Sequence, residues 1–430
     1  MDKKILIVTM DCFNKYNSAT TANTFETLFK NYDSKNLASL YLREEIPSGN
    51  ACSLYFQISE NAVVKSSLKR AIKTGKLFTA GNIEISSEDK HNINKTKDRY
   101  KKYGVKRRWL LLFAREFLWK IGRWKSKELD YFLDEFKPDI IIFGAEGYLF
   151  FHRIVRYSIK KTGAKAISFF WDDNFSFKQR PKTPIFLLLR TLQRKTLKKT
   201  MALTKASFSI SEKTKKEVDE FFDVESTVIT KPVEECLFNL PALCNEKIKM
   251  VYTGNLKIGR FESLKLISKV LDENENIARR MSIDIYSSTY IPKKELNNLN
   301  SSIHFKGAIS SDEVINVQRS ADVLLLLEDI LGKWKYIPRL SFSTKITDYL
   351  GHGKPIFSIA LKDIASSEYL INNDCAIVAG NLNEIENSLN EIIQGKEKLL
   401  LCAKNSYETA IKNHSRKIIE EKFYGVLNNL

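Results

Sequence analysis

The residues best placed to do chemistry lie in the segment 341–356, which joins a helix entry to a helix exit with an acid inside. Ser343 or Thr344 can cap that helix, and the first-turn N–H groups, through Lys345, offer about half a positive charge to an anion. Asp348 sits one turn further in, and Gly351 and Gly353 end the helix before the strand-like run 354–359. A capped crossover helix without a ligand has the same pattern, so the neighbouring segments must decide. Further carboxylates stand where apolar runs end: Glu146 after 139–143, and the pair Asp172 and Asp173 after 166–171. A carboxylate at a strand end can orient or deprotonate a hydroxyl, whereas an adjacent Asp pair can equally be a turn or a cap.

Other chemistries lack their parts. The histidines (His91, His152, His304, His352, His414) show no ligand spacing, and no nucleophile elbow is present. Six scattered cysteines without a C-x-x-C pair indicate neither a zinc site nor a disulfide framework, which suits a reducing cytoplasm. No metal site is expected.

The elements that would position these groups alternate from the start. Apolar runs at 4–10, 139–143, 166–171 and 206–211 read as strands buried on both faces of a parallel sheet. Helical patterns at 146–161 and 211–222 lie between them. The pattern weakens over 223–247, which carries two prolines, and then restarts. Strands are expected at 249–254, 282–286, 303–306 and 322–328, and helices at 262–273 and 311–319. At 430 residues the chain fits two domains of about 200 residues each. We expect an α/β protein with two Rossmann-like, doubly wound domains facing across a cleft, divided as 1–235, 236–408 and a terminal crossover helix in 409–430.

The net charge of +18 is uneven, with residues 65–125 carrying roughly three times as many basic as acidic side chains and residues 174–211 no acid at all. Aromatic and aliphatic residues are interleaved with this charge at 107–125 and 184–199. A solvated basic face accounts for the charge alone; the interleaving suits an anionic membrane surface, where each Lys or Arg contributes about 1 kcal/mol. No nucleic-acid motif accompanies it, so no nucleic-acid partner is expected. The longest aliphatic runs fall far below the roughly 20 residues of a membrane span.

Taken in order, 251–260, 303–314, 320–327 and 341–356 resemble the donor half of GT-B glycosyltransferases, and family 4 among them. The resemblance is specific over 249–358 and general over 1–222. The basic, aromatic-rich segments point to a cytoplasmic enzyme peripheral at the membrane, with a lipid-linked acceptor in polysaccharide biosynthesis; the resemblance implies transfer of a sugar from a nucleoside diphosphate donor to a hydroxyl of a growing glycan. It further implies retention at the anomeric carbon and no metal or other cofactor. Gly254 and Arg260 match the family's glycine and lysine at the diphosphate, where a leaving group gains negative charge. Asn255 stands where an Arg is usual, and Lys257 is expected to supply that cation, although both loop cations can also be simply solvated. Lys306 and Gly307 match the turn that meets the nucleobase, and Asp348 matches the acid that holds the ribose. The family's other acid would fall at Leu340, which leaves Arg339, Ser341 or Ser343 for a different job there. Ser343, Thr344 and Lys345 are expected at phosphate or sugar oxygens. Asn17, Ser18 and Thr20 match the loop beneath the donor phosphates, and Glu146 and Asp173 are the candidate catalytic carboxylates. The acceptor is expected to be polyprenyl-diphosphate-linked. A GT-B-shaped binding protein that has lost catalysis is the alternative, for which Leu340 and Asn255 speak.

Overall fold

The computed structural model describes residues 3–13, 20–47, 51–69, 71–81, 83, 93, 109–179, 183–233 and 247–430. Two compact units emerge, residues 1–229 with 422–430, and residues 230–421.

The first unit is built on an eight-stranded sheet. Its strands are β1 (Ile5–Thr9), β2 (Leu37–Tyr41), β3 (Leu54–Ile58), β4 (Gly75–Thr79), β5 (Ile140–Gly144), β6 (Lys165–Phe170), β7 (Thr204–Ser209) and β8 (Ser226–Val228). They lie in the order β4-β3-β2-β1-β5-β6-β7-β8, and only β4 runs antiparallel to its neighbour. Every residue of β1, β2 and β5 is buried, as parallel strands covered on both faces must be. One core cluster combines Leu6, Val8, Phe143 and Ala166 with Phe150, Ile154 and Val155 of the helix Leu149–Thr162. That helix starts later than the 146 expected from the apolar pattern, so Glu146 is released into the loop before it. Gly163, at φ +71, ends it in the left-handed conformation that glycine adopts without strain.

The second unit carries a six-stranded, all-parallel sheet made of β9 (Ile248–Thr253), β10 (Met281–Tyr286), β11 (Ile303–Gly307), β12 (Val323–Leu327), β13 (Ile356–Ile359) and β14 (Ala376–Ala379). The order is β11-β10-β9-β12-β13-β14. The helices Arg260–Glu273, Ser311–Arg319 and Thr344–Gly351 connect the strands nearest the candidate residues. A capping box formed by Ser310 and Glu313 begins the second of these.

The terminal helix Arg416–Asn428 starts in the second unit, and from residue 422 onward it belongs to the first. Phe423 is fully buried, 5.2 Å from the ring of Phe29 and 5.2 Å from that of Phe208. Tyr424 donates to the Leu28 carbonyl at 2.9 Å, and Lys3 donates to that of Leu427 at 2.8 Å.

In each sheet the strand order reverses once, between β1 and β5 and between β9 and β12. Open α/β sheets bind ligands in the crevice beyond the strand carboxyl ends at such points. Both carry polar clusters here.

Candidate functional site

In the second unit, β9 leads into Gly254, whose φ of +139 is rarely adopted by a residue with a side chain. A Cβ at this position would fall 2.6 Å from Lys345 Cε and closer still to its Nζ, so the lysine lies directly over the glycine. The Lys345 ammonium donates to Tyr252 Oη at 3.2 Å and stands 4.3 Å from the centre of that ring. Burial, joined by the neighbouring Arg260 charge, pushes its pKa down to about 7, while Glu328 works in the opposite direction. An anion at this point would restore the full charge.

Arg260 opens the helix Arg260–Glu273 and is held from three sides. Its guanidinium donates to both Glu328 oxygens, Oε1 at 3.0 Å and Oε2 at 3.2 Å, to the Leu327 carbonyl at 3.0 Å and to Asn255 Oδ1 at 3.0 Å. Burial opposes its charge, but Glu328 more than compensates and raises the pKa. Glu328 directly follows β12, so the reversal of strand order brings it beside the end of β9. Asn255, at the position where resembling enzymes carry Arg, is thus a partner of Arg260. Lys257 is exposed on the same turn, its amide donating to Asn255 Oδ1 at 3.3 Å.

Ser343 is the N-cap of the helix Thr344–Gly351 but makes no side-chain cap hydrogen bond, so its hydroxyl does not satisfy the first-turn amides. Its own amide donates to Ser366 Oγ at 3.4 Å. One turn on, Asp348 receives Lys231 Nζ at 2.7 Å. Lys306 and Gly307 end β11, on the far side of β10 from β9. Gly307 has φ +80, and Lys306 Nζ lies 3.7 Å from Asp284. Leu340 is completely buried and serves packing. The structure therefore gathers Gly254, Asn255, Arg260 and Lys345 into one cluster. Glu328 escaped the sequence reading, although an acid immediately after an apolar strand was a usable signal.

In the first unit a cleft of about 260 Å³ opens at the carboxyl ends of β1, β5 and β6. Asp11, Glu146 and Asp172 reach it from those strands, and the helices Trp109–Ile121 and Pro184–Met201 wall it with Arg115, Glu116, Arg190 and Gln193. Arg43 pairs with Asp11. Arg115 grips Glu60 through two bonds of 2.7 and 2.6 Å and lies 4.6 Å over the Tyr148 ring. Glu116 accepts from the amides of Leu149 and Phe150 at 2.8 and 3.1 Å, capping a helix whose own N-cap, Tyr148, has no side-chain acceptor in place. Glu146 is half-buried; burial first, then the charge of Asp11, pushes its pKa up to about 7. Its carbonyl meets His152 Nε2 at 2.8 Å, and burial lowers that histidine to about 4, leaving it neutral.

Asp173 corrects the sequence reading. It is fully buried, with Oδ1 accepting from the Ser176 amide at 2.8 Å and Oδ2 from the Ser176 hydroxyl, so it holds a turn, and Asp172 is the member of the pair that lines the cleft. Asn17 and Ser18 lie outside the described residues, and Thr20 begins a helix with its side chain outside them. Among the described residues no group of acids, histidines and cysteines is arranged to hold a metal ion.

No protein-family model matches the chain, and no curated protein matches it. Solved structures do. Anabaena HepE in complex with UDP aligns with a TM-score of 0.63 at 10% identity, covering 99% of this chain and 100% of that one. An α,α-trehalose-phosphate synthase (UDP-forming) from Burkholderia vietnamiensis aligns at 0.62 with 8% identity, over 100% and 99%. TarM aligns at 0.60 with 10% identity, over 100% and 99%. Identity this low speaks for the fold. The chain has the two-domain, Rossmann-like GT-B fold expected from its sequence.

Proposed function

We propose that the protein is a glycosyltransferase that moves a sugar from a nucleoside diphosphate sugar to a hydroxyl of a glycan. The observation that carries this reading is the pair of cations, Arg260 and Lys345, gathered around Gly254 at the strand reversal of the second unit. In the transfer the bond from the anomeric carbon to the diphosphate breaks, its electron pair stays on the diphosphate, and the acceptor oxygen forms the new bond. Cations at the departing oxygens stabilise that charge where it develops, so the reaction needs no metal ion or other cofactor. Lys257 and the first-turn amides of the helix Thr344–Gly351 add to the same field. Lys306 and Gly307 would meet the nucleobase and Asp348 the ribose. The HepE structures with UDP and with UDP-glucose support a donor of this class.

The resemblance to family 4 supports retention, the acceptor proton passing to the leaving diphosphate on the same face. A lipid-linked acceptor in surface polysaccharide assembly, met at the inner face of the cytoplasmic membrane, is supported by the helix Pro184–Met201. Its exposed side chains Ile185, Leu188 and Leu192 recur at helical spacing and run on into Lys195 and Lys199. No helix among the described residues is long and apolar enough to cross a membrane.

A panel of nucleoside diphosphate sugars tests the reading. The cognate donor at about 100 times its Kd stabilises the fold by roughly 2.7 kcal/mol, and with a glycan acceptor it is consumed. Saturable binding with neither transfer nor slow donor hydrolysis would instead mark a binding protein, the reading that Leu340 and Asn255 favour. Absence of any nucleotide binding rejects both.

A further inference from the structure

We propose that Lys231 is a positioning residue of the nucleotide site: it holds Asp348 so that the open oxygen of that carboxylate takes a ribose hydroxyl, and it thereby sets the preference for ribose over deoxyribose. This rests on the glycosyl-transfer reading, with Asp348 as its ribose acid, and adds a residue that no motif of that reading contains.

The geometry at Asp348 comes first. Asp348 lies on the helix Thr344–Gly351, three residues beyond Lys345, a spacing that makes two side chains neighbours on a helix surface. Its Oδ1 receives the Lys231 ammonium at 2.7 Å, while its Oδ2 accepts no hydrogen bond from any described residue. The Asp348 side chain keeps 35% of its surface exposed and that of Lys231 only 15%, so a ligand can reach the acid and the cation backs it. A pair open to water on one side adds little to stability. Its effect is on orientation: a charge-assisted bond to one oxygen selects a rotamer and fixes the direction of the other oxygen. Lys231 is not a second diphosphate cation. Its charge acts on His352, at the C-terminal end of the helix, whereas Lys345 covers Gly254 from the N-terminal end.

A lysine side chain is long and flexible, so it can position another group only where its own main chain is fixed. Residues 230–233 open the second unit. Thr230 Oγ1 lies 2.7 Å from His414 Nδ1, and the Val233 amide donates to the His414 carbonyl at 2.8 Å, so both flanks of Lys231 are tied to one residue. Thr230 and His414 are both buried. His414 closes the π-helical turn Ala410–His414, a rare geometry found mostly where function needs it. Its Nε2 meets Tyr369 Oη at 2.7 Å, and its ring is stacked 6.1 Å from that of Phe342. Phe342 immediately precedes Ser343, the N-cap of the helix that carries Asp348. One imidazole therefore holds the main chain beside Lys231 and packs on the start of the Asp348 helix, which fixes the span that the ion pair bridges.

The test is calorimetry on the full chain with UDP, ADP and GDP, their 2′,3′-dideoxy counterparts and inorganic pyrophosphate. The wild type is expected to bind one ribonucleotide about tenfold more tightly than its dideoxy counterpart, as hydroxyls donating to a charged acceptor would give. Lys231→Met should bring that ratio down to about twofold, and Lys231→Arg should restore it. The dideoxy nucleotide and pyrophosphate report the lost charge alone, because neither offers a ribose hydroxyl pair. Lys231→Gln, which keeps a shorter donor without the charge, should fall between and serves if the methionine variant does not fold. An unchanged ratio in Lys231→Met, or an arginine variant no better than methionine, would overturn the positioning role. A wild type that binds nucleotide without distinguishing ribose would overturn it too, and would leave the transfer reading standing. A chain that binds none of the nucleotides would remove both.

Discussion

Both units place a polar cluster where their strand order reverses, yet the two clusters solve opposite electrostatic problems. At the end of β9 the excess is cationic: Arg260 is neutralised by Glu328, and Lys345 is pushed towards neutrality by burial and then by the Arg260 charge. At the end of β5 the excess is acidic: Glu146 is pushed towards neutrality by burial and then by the Asp11 charge, which the nearby Arg43 only partly offsets. The shared topology supplies a crevice, and the charges around it select the ligand.

The largest effect should come from breaking the ion pair of the second unit. Arg260→Ala leaves Glu328 buried without its partner, so it should cost about 3–5 kcal/mol in denaturant unfolding and remove the thermal shift given by nucleoside diphosphates. An unchanged shift would locate the diphosphate elsewhere. Gly254→Ala comes next, at about 1–3 kcal/mol. The flexible end of Lys345 can swing away from the added Cβ, but the positive φ cannot be relieved, and nucleotide binding should suffer more than stability.

In the first unit the sign reverses. The folded pKa of Glu146, about 7, lies above its ordinary 4.5, so the wild-type chain loses stability as pH rises through that window. Glu146→Gln escapes this loss and should be more stable by about 1–2 kcal/mol above pH 7, with no difference at about pH 4. A variant that melts no higher at pH 8 would show that Glu146 finds another partner.

The smallest effect concerns Lys345. Because its pKa lies near 7, anion binding should draw in a proton, and nucleotide affinity should fall by up to about tenfold per unit as pH rises above 7. Lys345→Met should bind more weakly and lose that slope, which calorimetry in buffers of different ionisation enthalpy would register. An identical slope in the variant would assign the proton to another group.

Most of the frame was legible in the sequence, because β1, β5, β6, β9 and β12 are buried on both faces and so read as unbroken apolar runs. The strands β2, β3 and β4 were not, since five-residue runs of mixed polarity carry no decisive period. The helix Leu149–Thr162 begins beyond the expected 146 because Glu116, remote in sequence, caps it at Leu149 and Phe150. Among the site residues, the glycine at the end of β9 and the arginine that follows could be read from their spacing in a resembling family. The roles of Asp172 and Asp173 could not: their neighbours in sequence are nearly the same, and one is buried in a turn while the other lines a cleft.

By itself the sequence determined the alternation of strands and helices and the positions of the helix that includes Asp348 and of the loop from Gly254 to Arg260, since periodicity, caps and glycines act over a few residues. Tertiary structure alone decided that Lys345 would lie on Gly254, that Glu328 would hold Arg260, and that Glu146 would face a cleft without a hydrogen-bond partner among the described residues. Each of those relations depends on strands distant in sequence becoming neighbours. Burial there sets the cost of a charge, and no local pattern encodes it.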